Sequence, residues 1–159
     1  MSNRTCYTVV GAGHGGKAMA AHLALMGFRV VLYNRTPENV GAIKKRGGIE
    51  LTSYESGPHG FGSLALVTSD MGEALEQAEI IMVVVPATGH ADIARVAAPH
   101  LRDGQIVVLN PGRTGGALEF VHVLGQCGCQ ADVTVAEAET LIYESRSDGP
   151  AQARIFGIK

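Results

Sequence analysis

The sequence has little of what would place a protein in a membrane, on nucleic acid or in a disulfide scaffold. Its longest apolar run, residues 80–85, is far shorter than the roughly 18 residues that suggest a membrane span. A formal net charge of -2 leaves no basic footprint for nucleic acid. The N-terminus lacks the charged-then-apolar pattern of a secretory signal; its apolar residues form a short strand that runs into glycines. Cysteine is scarce and odd in number, with three in all, and Cys127 and Cys129 flank a single glycine. That spacing fits neither a common structural zinc site nor a disulfide framework, so the thiols read as reduced. Repeats, proline tracts and linker-like changes of composition are also missing. These absences point to a cytoplasmic protein with neither a membrane nor a nucleic-acid partner. The length of 159 residues favours one domain, large enough to bury a core without staples. An apolar fraction of 46% with 18% charged residues excludes wholesale disorder.

What the sequence has in excess is glycine, 21 residues, against an average of about 7%. With no repeat to account for them, the glycines mark tight turns and close backbone approaches. Between them strand and helix patterns alternate. Residues 7–10 form an apolar strand, an alanine-rich helix runs to Gly27, and residues 29–33 form a second strand. Thr36 and Pro37 read as the cap and first position of a helix closed by Gly47-Gly48, and residues 49–68 as short strands. Asp70 and Glu73 have capping-box spacing ahead of a face made by Met71, Ala74, Leu75 and Ala78. Residues 80–85 are apolar on both faces, as a central parallel strand must be when helices cover each side. Ile93, Val96, Ala97 and Leu101 predict a helix, residues 106–109 a strand, and Ala117, Phe120, Val121 and Leu124 a further helix. Strands at 133–139, 141–145 and 152–158 complete the chain, the last two as an antiparallel hairpin. This order predicts an α/β fold of the Rossmann type: a doubly wound, mostly parallel sheet with helices on both faces, spanning residues 1–159.

Gly11-Ala12-Gly13-His14-Gly15-Gly16 matches G-x-G-x-x-G between an apolar strand and a helix, the context of a dinucleotide-binding loop. Gly11 makes the turn, Gly13 admits a pyrophosphate, and Gly16 lets the helix pack on the strand. The plain alternative is a strand-to-helix turn of another α/β fold. An NAD site usually has an acid at the end of the second strand, whereas here stand Asn34, Arg35 and Thr36. Without that carboxylate, and with an arginine able to pair with a 2′-phosphate, the expected cofactor is NADP, with NAD second. Arg35 as a solvated loop residue is the competing reading. At the carboxyl ends of later strands, Val85, Pro86 and Ala87 are expected to wall the cofactor. Asn110 and Gly112 are placed near the nicotinamide side, with the Asn110 amide free to bond ribose or carboxamide. Alternation sets Val133, Val135, Glu137 and Glu139 on one face, which makes Glu139 either the carboxylate nearest the nicotinamide or an exposed strand-end acid. His14 is expected to contact cofactor or solvent, and His90 to sit at a helix start with a capping or surface role. His22, His59, His100 and His122 show no metal-ligand spacing.

With these residues in place the chain resembles the opine dehydrogenase family, of the octopine and nopaline type. The resemblance runs from Val9-Val10-Gly11 onward. Its more specific pieces are Val84-Val85-Pro86-Ala87, Leu109-Asn110-Pro111-Gly112, the run Thr114 to Phe120, and Glu139-Thr140 with Ser145-Arg146-Ser147. Ketopantoate reductase, glycerol-3-phosphate dehydrogenase and the β-hydroxyacid dehydrogenases share the loop and part of the Val-Pro pattern. The resemblance implies an NAD(P)H-dependent reduction of the imine formed from an amino acid and a 2-oxo acid. It also implies a second, all-helical domain that carries a catalytic His–Asp pair and most substrate contacts, and that domain is expected to lie outside these 159 residues. The chain is thus expected to be a fragment, a truncated gene or half of a split enzyme, binding cofactor but turning over nothing alone. The alternatives are a stand-alone NAD(P)-binding regulatory module, or the cofactor domain of a ketopantoate-reductase-like or glycerol-3-phosphate-dehydrogenase-like enzyme. A dehydrogenase half should expose an apolar patch for the helical domain, whereas a module should be polar there or form a homodimer.

Overall fold

A computed structural model describes residues 5–54 and 56–159. In chain order the elements are β1 (Cys6–Val10), α1 (His14–Leu25), β2 (Arg29–Tyr33), α2 (Gly41–Arg46), β3 (Gly48–Ser53), β4 (Gly60–Ser63) and β5 (Leu66–Thr68). They continue with α3 (Met71–Leu75), β6 (Ile80–Val83), α4 (His90–Ala97), β7 (Ile106–Leu109), α5 (Gly116–Gln126), β8 (Thr134–Glu137), β9 (Tyr143–Gly149) and β10 (Gln152–Ile158). The main sheet has the order β5-β2-β1-β6-β7-β8, and every pairing in it is parallel. From β1 the chain winds outward through β2 to β5, then returns to β6 and winds the other way to β8. This is the doubly wound fold expected. No helix among the described residues is long and apolar enough to cross a membrane.

Local chemistry accounts for the helix boundaries. The Asp70 carboxylate accepts from the Glu73 N–H at 2.8 Å and caps α3. Glu73 does not complete the capping box; its carboxylate accepts instead from the Thr68 hydroxyl at 2.6 Å. The helix expected after Thr36 is divided into a 3-10 turn at Pro37–Asn39 and α2, and Thr36 offers no side-chain cap. Gly47 ends α2 in the left-handed region at φ +73°, which a side chain would resist.

The two faces of the main sheet are covered differently. One carries α3, α4 and α5, whose Leu75, Ala94 and Phe120 pack with Val10, Ile81, Val83 and Leu109. The other carries α1, and over α1 lies a second sheet of order β4-β3-β10-β9. The closing hairpin expected from the sequence is present, with β9 at residues 143–149 rather than 141–145. It does not join the main sheet. Its strand β10 lies parallel to β3, so segments far apart in sequence form one unit. The alternation of β10, with Ala153 and Ile155 buried and Arg154 and Phe156 exposed, turns one face of this sheet onto α1.

Held between two sheets, α1 is buried continuously from Gly15 to Ala21 and has no polar stripe. Its small residues allow the close approach: a Cβ on Gly62 of β4 would lie 2.7 Å from the Ala21 Cα. Polar bonds tie α1 to β9. The Lys17 ammonium donates to the Gly149 carbonyl at 3.4 Å. Burial pushes the Tyr143 phenol up to about 12, so its O–H stays protonated, and it is hydrogen-bonded with the His22 Nδ1 at 2.9 Å.

Burial also lowers the His22 pKa below its usual value near 6.5. The unfolded chain therefore binds a proton in the range where the folded chain does not. His22 contributes stability that is complete above about pH 6.5 and is lost as pH falls through its folded value. Urea unfolding from pH 7.5 to 4.5 should show the wild-type midpoint falling more steeply than that of His22→Gln. Parallel curves would show that His22 is not the group responsible.

Candidate functional site

In an open α/β sheet the crevice lies where strand order reverses, outside the carboxyl ends of the strands. Here that point is between β1 and β6, and Gly11 stands in it. Its φ of +112° suits glycine alone, and a Cβ there would lie 2.3 Å from the Val84 carbonyl oxygen. Gly16 is needed for a different contact, since its Cβ would fall 1.8 Å from the Gly11 carbonyl oxygen. Gly15 packs beneath Leu141, where a Cβ would come within 2.6 Å of Cδ2. Gly13 differs from all of these: it is exposed, and a Cβ built on it meets nothing within 4 Å. It is the open position of the loop, with space for a ligand rather than for protein.

Gly13 is also the N-cap of α1, and no side chain caps that helix. The first N–H groups of α1 therefore face outward at the positive end of its dipole, as an anion site requires. This open cradle beside a close-packed one fits a dinucleotide pyrophosphate. His14 is not free to serve it fully: its Nδ1 accepts from the Ser147 backbone N–H at 2.9 Å. That bond places the ring proton on Nε2 whenever the imidazole is neutral. Ala12 lies under the loop in the core, and its N–H donates to the Asn34 Oδ1 at 3.3 Å. The Asn34 amide nitrogen donates in turn to the Thr36 carbonyl at 3.1 Å. Asn34 thus clamps the glycine loop to the turn after β2, a role its position in the sequence did not reveal.

A cleft of about 510 Å³ opens beside the loop. Its lining includes Gly11, Asn34, Arg35, Val85 and Pro86, five residues expected at the cofactor, and so brings them together. Ala87 begins the 3-10 turn at Ala87–Gly89 that carries Thr88 and Gly89 to the cleft edge. The far wall comes from α4 and had not been anticipated: Asp92, Ile93, Arg95 and Val96. Arg95 donates to the Asp92 carboxylate at 2.8 Å, and the Arg35 guanidinium stands 3.9 Å from its other oxygen. The i,i+3 spacing of Asp92 and Arg95 is a signal of a paired helix face, though not of which way that face points.

Asn110, Gly112 and Glu139 lie apart from this cleft, beyond the ends of β7 and β8. Asn110 is buried and spends one amide N–H on the Val108 carbonyl at 2.9 Å. Gly112 is a packing glycine, since a Cβ there would lie 2.4 Å from that of Glu137. The strand expected to reach residue 139 ends at Glu137, whose carboxylate accepts from the Ala117 N–H at 2.7 Å and caps α5. Glu139 follows the strand, its side chain 87% exposed and 3.9 Å from Arg113. His90 begins α4 as expected, but instead of the capping or surface role foreseen it is fully buried, and neither of its ring nitrogens has a hydrogen-bond partner among the described residues. It packs against the start of α5, where a Cβ on Gly116 would lie 3.2 Å from its Nδ1. Among the described residues no cluster of three or more metal-ligating side chains forms.

Comparison with known proteins agrees with this geometry. The family described as the NAD binding domain of 6-phosphogluconate dehydrogenase matches residues 7–111. An opine dehydrogenase of Arthrobacter sp. (strain 1C) is 40% identical over 153 residues, which is 96% of this chain and 42% of the relative. Octopine dehydrogenase in complex with NADH and agmatine superposes with a TM-score of 0.86 at 21% identity, over 98% of this chain and 40% of that one. Yersinopine dehydrogenase with NADP+ bound gives 0.81 at 19% identity, over 100% of this chain and 40% of that one. At such identities the two structures establish the fold. The chain spans less than half the length of these relatives. The chain belongs to the family of NAD-binding domains represented by that of 6-phosphogluconate dehydrogenase, and within it is a nucleotide-binding domain of the opine-dehydrogenase-like kind.

Proposed function

We propose that this chain is the cofactor-binding part of an opine-dehydrogenase-like oxidoreductase and that it takes NADP(H) in preference to NAD(H). The observation that carries the reading is the open Gly13 position in the same loop as Gly11, which lines the cleft edged by Arg35 and Arg95. The α1 N-terminus binds the pyrophosphate, Val85 and Pro86 wall the cleft, and the two guanidiniums offer donors to a 2′-phosphate. When bound, the reduced dinucleotide supplies a hydride. The substrate this reading implies is the imine of an amino acid and a 2-oxo acid, which gains that hydride and a proton to become a secondary amine. Most contacts to it would come from a helical domain outside these residues, and the chain alone binds cofactor without turnover. Leu118 and Val121, 78% and 53% exposed on one face of α5, support a docking surface for such a domain over a module that is polar there.

Calorimetric titration with NADP+ and NAD+ tests the cofactor assignment. NADP+ should bind more tightly, and Arg35→Ala should weaken it about ten- to hundredfold, the worth of one charge-assisted contact, with much less effect on NAD+. Equal or tighter binding of NAD+ by the wild-type protein would overturn the preference.

A further inference from the structure

The residue at the end of β2 is where a carboxylate would choose NAD over NADP, and here it is Asn34, whose side chain is spent on Ala12 and Thr36. A carboxylate nevertheless faces the same cleft. Asp92 projects from the first turn of α4 on the opposite wall, with its side chain 57% exposed and one oxygen on each arginine. We propose that Asp92 sets the balance between the two dinucleotides, in place of the missing acid after β2. This rests on the cofactor reading above.

The geometry gives Asp92 two opposed effects. Its charge lies within 4 Å of both guanidiniums that would take a 2′-phosphate, so it repels that phosphate and partly neutralises its binding groups. The same carboxylate has acceptor capacity left, because the Arg35 contact is long at 3.9 Å. A ribose 2′-hydroxyl could donate to it, which is the service an acid after β2 performs elsewhere. Each arginine keeps donors beyond those used on Asp92, so NADP is admitted rather than excluded. The result is a site that takes both cofactors, in which Asp92 tempers the preference arising from Arg35 and Arg95.

The test is titration of NADP+ and NAD+ into wild-type, Asp92→Asn and Asp92→Ala proteins at one ionic strength, with thermal unfolding to confirm the fold. Both variants should bind NADP+ more tightly and NAD+ more weakly, so that the ratio of affinities shifts toward NADP+ by about tenfold or more. Opposite movement of the two affinities is what a merely structural role would not produce. An unchanged ratio, an equal loss for both cofactors, or a shift toward NAD+ would overturn the inference while leaving the cofactor reading intact. A wild-type protein that binds neither dinucleotide would overturn both.

Discussion

Replacing Gly13 by valine should abolish dinucleotide binding and leave the protein folded. The position has φ -74° and ψ -169°, an extended conformation that a β-branched residue adopts readily. Beyond its chain neighbours, the added Cβ meets nothing within 4 Å among the described residues, so it enters open space. Reduced freedom of the unfolded chain favours the variant by about 0.4–1 kcal/mol, and the poorer cap that valine makes at the α1 N-terminus offsets it, so stability should change little. The branched side chain fills the space over the α1 N-terminus where a pyrophosphate must come closest. Affinity for NADP+ and NAD+ should fall by about a hundredfold or more, equivalent to at least roughly 2.7 kcal/mol. Calorimetry reads the loss, and thermal unfolding checks the fold. Normal affinity in a folded Gly13→Val protein would place the cofactor somewhere other than this loop.

Gly16→Ala should do the reverse, damaging the fold before the site. Alanine favours a helix interior over glycine by about 1 kcal/mol, so a free helix would gain from the change. Here the new Cβ would sit 1.8 Å from the Gly11 carbonyl oxygen and 2.8 Å from its carbon. Those are backbone atoms of the β1–α1 turn, which cannot swing aside as a side chain can. To make room α1 must move, and α1 is held between two sheets with Gly62 already against Ala21. A net loss of about 2–3 kcal/mol is expected, lowering Tm by roughly 4–12 °C. A Gly16→Ala protein as stable as wild type would contradict the close approach of helix and turn.

These two glycines belong to one motif, and the sequence alone predicted close packing at Gly16, which the structure shows, and a ligand-facing role at Gly13, which titration tests. That was possible because a strand, a turn and a helix start are local: the spacing of glycines over six residues sets which atoms meet. The alternation of strands and helices was legible for the same reason, as was the antiparallel hairpin at the end of the chain. The cleft was legible only in part. Arg35, Val85 and Pro86 follow directly from strand ends, so their convergence on Gly11 could be argued from topology. Asp92 and Arg95 could not, because their reach across the cleft depends on the angle at which α4 leaves the Pro86 turn.

What the sequence by itself determined is thus the doubly wound parallel sheet, the tight turn of the glycine loop and the nearness of Arg35, Val85 and Pro86 to it, all set by periodicity and turn chemistry along short stretches. Tertiary structure alone decided the rest. It paired β10 with β3 into a second sheet over α1, since alternation shows that a strand has an apolar face but not what covers it. It turned His90, expected in a capping or surface role, inward and engaged Glu137 with the α5 N-terminus. It also brought Asp92 within reach of Arg35, 57 positions away in the chain. Contacts between distant segments form only when packing brings them together, so no local pattern of residues records them.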